Sequence, residues 1–125
     1  MQYVCLVYGD PEAFGRLSPE EAAALDRASI AHDAELRETG HLIVARALQP
    51  VEEAMTVHIR DGRMSATAGP FAETAEQLGG FLLIEARDLN EALQIAERVP
   101  VARYAKIEVR PILDLEARVR AREGG

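Results

Sequence analysis

Tryptophan is absent from the 125 residues, aromatic residues make up 5% of them, and a single cysteine, Cys5, stands alone. One thiol cannot close an intramolecular disulfide, so the fold must be held by its apolar core, as in a reducing compartment. Positive charge is also scarce: 14 Lys and Arg face 21 Asp and Glu, a formal charge of −7, which repels a phosphate backbone and excludes nucleic acid as a direct partner. No stretch approaches the roughly 20 apolar residues of a membrane helix, and the Met-Gln-Tyr-Val start lacks the basic residues of a secretion signal. The expectation is a cytoplasmic protein. With a hydrophobic share of 48% and a charged share of 28%, the chain has an ordinary globular composition and the length of one domain.

Alternation over 2–8 sets Tyr3, Cys5 and Val7 on one face of a strand and Val4, Leu6 and Tyr8 on the other. Gly9-Asp10-Pro11 ends it and a loop runs to Leu17. Ser18-Pro19-Glu20-Glu21 combines a serine cap, a proline at the first helical position and a glutamate three residues on, so a helix is predicted over 19–39 with Gly40 as its stop. Its inward stripe is half polar: Leu25, Ser29, His32 and Leu36. A strand follows over 41–48, closed by Gln49-Pro50. The arms 54–60 and 63–68 flank Asp61-Gly62, a type I′ hairpin signal.

Gly69-Pro70-Phe71 interrupts the pattern, and a polar segment over 72–78 leads to Gly79-Gly80 and a strand over 81–86. Asp88 and Glu91 open a second helix, whose stripe reads Leu89, Ala92, Leu93, Ala96 and Val99 until Pro100 stops it. A last strand spans 104–112, and residues 113–125 form a charged, helix-compatible tail. The order β-α-β, hairpin, β-α-β is the α+β, ferredoxin-like split βαβ plan with an inserted hairpin. Two helices cover one face of such a sheet; a second copy of the chain is the expected cover for the other.

The run Gly69-Pro70-Phe71-Ala72-Glu73-Thr74, followed by Glu76-Gln77-Leu78-Gly79-Gly80-Phe81, resembles the YCII-related family and within it the DGPF-domain branch. The Tyr3–Asp10 start, Glu35-Leu36-Arg37 before Gly40, Leu48-Gln49-Pro50, Asp61-Gly62 and Glu108-Val109-Arg110-Pro111 agree, so the resemblance spans 1–112. It implies a dimeric α+β barrel. It also implies a link to small-molecule chemistry, since some relatives act on small ring compounds and a histidine–aspartate pair in a pocket is the reason enzymatic work is ascribed to others. An association with extracytoplasmic-function sigma factors is implied for the DGPF branch. The chain departs from the family pattern at Ala68, where the family has aspartate, and at Ala75, where lysine is usual; the family histidine falls nearer Ser29 than His32.

These features nominate candidate residues. His32, an imidazole within a core-facing stripe, reads as a general acid–base with Asp10, or as a core histidine satisfied by a neighbour. Tyr8 and Ser29 lie within its reach in this scheme. Arg46 shares parity with Leu42, Val44 and Leu48, so its guanidinium either clamps a carboxylate ligand or pairs with Glu85 or Glu108. Phe71, Glu73 and Thr74 form either a ligand-binding loop or a turn that places Phe71 in a dimer core. His41 and His58 read as surface residues. The histidine spacings form no metal motif, and Gly79-Gly80 lacks the spacing of a dinucleotide loop, so neither metal nor cofactor is expected. Gly79-Gly80 reads instead as a place where backbones approach closely.

Three functions follow. The first is a homodimeric small-molecule-binding protein or enzyme with a pocket near His32, taking a small aromatic or carboxylate ligand. The second is a non-catalytic regulatory or binding module acting through protein partners. A dimer kept only as a scaffold is a third.

Overall fold

In the computed structural model, which describes residues 1–124, β1 (Gln2–Gly9) is followed by a one-turn helix α1 (Pro11–Gly15) and the long helix α2 (Pro19–Glu38). Then come β2 (Leu42–Ala47), the hairpin strands β3 (Met55–Arg60) and β4 (Arg63–Ala68), β5 (Gln77–Glu85), α3 (Leu89–Glu97), β6 (Ala105–Pro111) and α4 (Leu115–Gly124). The four long strands form one antiparallel sheet in the order β2-β5-β1-β6, while β3 and β4 form a separate two-stranded sheet. This is the ferredoxin-like split βαβ order with a hairpin inserted between its second and third strands.

Local chemistry explains the element ends. Ser18 and Glu21 form a reciprocal capping box, each side chain bonding the other's backbone N–H at 3.1 and 3.0 Å. Asp88 caps α3 through the Glu91 N–H at 2.9 Å, and Gly40 adopts φ +80° beyond α2. Asp61 and Gly62, at φ +52° and +75°, turn the hairpin as a type I′ pair requires.

The core is one layer between the helices and a single sheet face: Tyr3, Cys5, Leu82, Ile84 and Ala86 are buried there against Ala92, Ile95, Ala96 and Val99. On the opposite face Val4, Leu6, Phe81 and Leu83 are only half-buried, because none of the described elements covers them. Four local expectations are corrected. Residues 11–15 are helical instead of a loop, since Asp10 caps them. The α3 stripe is rotated: Ile95 is buried while Leu89 and Leu93 face outward. Strand β5 begins at Gln77, four residues early, because Leu78 and Gln77 still pair with Tyr8 and Gly9 past a bulge. A register shift between Leu42 and Val44 separates buried Leu42 from the face of Val44 and Arg46, so strict parity fails in β2. Gly80 has the expected role: a Cβ there would stand 2.8 Å from the Arg46 carbonyl oxygen and 3.3 Å from the Ala47 Cα.

Candidate functional site

The C-terminal half of α2, from His32 onward, faces α3 across a groove of about 530 Å³. His32, Glu35, Leu36 and Thr39 line it from α2 and its cap, Glu91, Gln94, Ile95 and Arg98 from α3 and its cap, and His41 from the turn between α2 and β2. Leu36 and Ile95 provide an apolar floor because the same residues pack on the core. The Nδ1 atom of His32 is out of contact with water and has no hydrogen-bond partner. A nitrogen so placed costs about 1–3 kcal/mol, a penalty that ordinary core residues avoid.

A second imidazole is held at the same groove. His41 Nδ1 lies 2.7 Å from the Thr39 hydroxyl, which also donates to the Leu36 carbonyl, and Glu91 Oε1 stands 3.4 Å from His41 Nε2. Glu91 is fixed from its other side: the Arg87 backbone N–H donates to Oε1 at 3.0 Å and the Arg87 guanidinium lies 3.2 Å from Oε2. The Arg87 N–H is the main reason the Glu91 carboxyl titrates below its usual range; partial burial opposes this, and the charges of Arg87 and His41 add to it. Its side chain is only 16% exposed.

The remaining candidates fall elsewhere. Tyr8 and Asp10 line a separate hollow of about 350 Å³ with Arg103, Tyr104 and Lys106, and the Asp10 carboxylate accepts the Glu12 N–H at 2.9 Å as the cap of α1. Ser29 and Arg46 share a third hollow, about 170 Å³, with Asp33, Phe81 and Val101. Arg46 is exposed and donates to its neighbour's carbonyl, Ala45, at 2.7 Å; it pairs with neither Glu85, which holds the N-terminal amine, nor Glu108, which faces Arg110. Phe71 is 90% exposed, Glu73 is exposed, and the Thr74 hydroxyl donates to the Glu76 carbonyl at 2.6 Å. None of the other seven nominated residues lines the groove with His32; Ser29 stands one helical turn before it on α2 and opens on the other side. His32 shares the groove with His41 and Glu91, whose place in the sequence points to the surface and to a helix cap. Among the described residues no three His, Cys, Asp or Glu side chains converge as a metal site, and no helix is long and apolar enough to cross a membrane.

Fold and groove together define a single α+β domain of ferredoxin-like order with a polar interhelical cleft. The model of the YCII-related domain matches residues 1–116, and the chain belongs to that family. An uncharacterised protein of Rhizobium meliloti is 36% identical over 114 residues, covering 90% of this chain and 92% of that protein. Among solved structures, 5-chloro-2-hydroxyhydroquinone dehydrochlorinase from Burkholderia phenoliruptrix, in complex with 2,5-dihydroxybenzoquinone, superposes with a TM-score of 0.56 at 15% identity, covering 90% of this chain and 94% of that one. That likeness is one of fold.

Proposed function

We propose that the protein is a cytoplasmic, homodimeric small-molecule-binding protein or enzyme whose ligand occupies the groove between α2 and α3. The observation that carries the reading is a cleft of about 530 Å³ lined by two imidazoles, His41 and a His32 whose Nδ1 has no partner in the fold, a volume within the roughly 300–1,000 Å³ of ordinary ligand pockets. A compact aromatic ring suits the Leu36–Ile95 floor, its hydroxyls suit the two imidazoles, and a single carboxylate suits Arg98. Glu35, Glu38 and Glu91 around the same cleft repel polyanions such as phosphorylated metabolites. A carboxylate that holds one imidazole while a second lines the same cleft is also an arrangement able to move a proton to or from a ligand hydroxyl. The bound dihydroxybenzoquinone of the fold neighbour supports a hydroxylated ring as the ligand class. Homodimerisation rests on the half-buried sheet face of Val4, Leu6, Phe81 and Leu83, which one chain leaves uncovered.

A thermal-shift screen of hydroxylated aromatics and small carboxylates tests this. A ligand present at about 100 times its Kd stabilises the folded state by roughly 2.7 kcal/mol. The expected result is a rise in Tm that disappears in His32→Leu; a rise of equal size in that variant refutes the site.

The alternative, a non-catalytic module acting through protein partners such as a sigma factor, is favoured by one observation, the 90% exposure of Phe71 in the Gly69–Thr74 loop. Its mark would be a sigma-factor complex weakened by Phe71→Ala and indifferent to His32→Leu.

A further inference from the structure

The β3–β4 hairpin stands apart from the domain. It continues the β2–β5 connection beyond the end of the sheet, where the Leu48 N–H donates to the Gly79 carbonyl at 2.9 Å. Among the described residues its further hydrogen bonds stay within it: Gly69 N–H to the Ala54 carbonyl, Thr56 to the Gly69 carbonyl and Ser65 to the His58 carbonyl. Two-stranded ribbons are marginal in water unless something packs on them.

The ribbon is two-faced. The register pairs Met55 with Ala68, Val57 with Ala66 and Ile59 with Met64, so these six side chains share one face. The four large ones are 61%, 61%, 67% and 65% exposed for Met55, Val57, Ile59 and Met64 respectively. Together they leave on the order of 500 Å² of apolar surface in water, near the top of the range for the largest patch on a monomer. The reverse face carries His58, Arg60 and Arg63. With Asp61 as its one acid, the ribbon is net positive, whereas the chain as a whole carries −7 and α2 alone bears six carboxylates against two arginines.

We infer that the apolar face of this hairpin is an arm that closes over a second copy of the chain. This inference rests on the homodimer reading and adds to it the element that clasps the partner. Two properties select a second copy as occupant. Arg60 and Arg63, paired at the tip of the ribbon where they flank the turn, are drawn to the carboxylates that the acidic body of every other copy presents. Two arms related by a two-fold axis, with the surfaces they cover, bury on the order of 2,000 Å², enough for a specific interface without help from a third component.

The test uses the full chain carrying Ile59→Cys labelled with benzophenone maleimide; buried Cys5, whose thiol is pushed up to about 11, leaves the new cysteine as the reactive one. Irradiation of mixed light and heavy isotopic copies should give a covalent dimer whose cross-linked peptides join one isotope to the other. Sedimentation of Val57→Thr/Ile59→Thr, which keeps strand-forming residues, should show dimer dissociation at least tenfold easier with the circular dichroism spectrum unchanged. A dimer whose dissociation is unaltered in that variant and whose cross-links stay within one chain overturns the arm and leaves the homodimer standing. A wild-type chain that sediments as a monomer at tens of micromolar overturns both.

Discussion

Replacing His32 by leucine removes a buried nitrogen with no partner and puts an apolar group of similar size on a wall already formed by Leu36 and Ile95. An unsatisfied buried polar atom costs about 1–3 kcal/mol, and the swap forfeits only the packing of the ring edge that faces the groove. The variant is therefore expected to be more stable than the parent by about 1 kcal/mol. For a domain of this size that is a rise of about 3–5 °C in Tm, readable by reversible thermal or urea denaturation followed by circular dichroism. Few substitutions of a half-buried residue stabilise a protein, so the sign is the informative part. A gain in stability joined to a loss of ligand-induced stabilisation identifies a residue kept for binding at a cost to folding. A variant less stable than the parent by about 1 kcal/mol or more would show that Nδ1 is satisfied in solution, and the reasoning from its orphaned state would fail.

Three further outcomes follow from the geometry. Gly80→Ala drives a Cβ to 2.8 Å from the Arg46 carbonyl and should destabilise by about 2 kcal/mol, whereas Gly79→Ala, whose nearest neighbour is 3.9 Å away, should cost less than about 1; urea midpoints at a common slope measure both. Because the Glu91 carboxyl is held below its ordinary range in the folded protein, its contribution is present above the unfolded value of about 4.3 and is lost as pH falls through the folded one; Glu91→Gln should flatten the acid side of the stability curve measured between about pH 3 and 6. Cys5, buried and with its thiol at about 11, should resist a thiol reagent in the native protein and react at once in urea, so rapid native modification would contradict its place in the core.

Much of the fold is legible in the chain because it depends on short-range chemistry. The Ser18–Glu21 box, the Asp88 cap, Gly40 and the Asp61-Gly62 turn each act within four residues, and all four occur where their residue types predict. Period-two alternation sorts β1 into its two faces for the same reason, and the face of Tyr3 and Cys5 is the buried one. The errors lie where a neighbour in space intervenes. The shift after Leu42 takes Arg46 off the parity of the buried residue, and pairing with Tyr8 and Gly9 draws Gln77 and Leu78 into a strand that the sequence reading starts at Phe81.

The candidate groove was half legible. A histidine in a core-facing helical stripe singled out His32, but its companions come from α3 and the β2 turn. His41 and Glu91 are 50 positions apart and meet because the Glu85 N–H donates to the His41 carbonyl at 2.7 Å, which sets the turn before β2 beside the start of α3. The one available signal was that Glu91 sits at the third position of a capped helix, where a carboxylate is turned back toward the residues before the cap. Asp10, by contrast, spends its carboxylate on a cap of its own.

The most direct examination of the groove is an NMR titration that follows the imidazole resonances of the three histidines as a stabilising hydroxylated aromatic or carboxylate is added. His32 and His41 should shift together and saturate with one dissociation constant, while His58, out on the hairpin, stays still. A ligand that binds with His32 and His41 unmoved would place the site elsewhere and contradict the account.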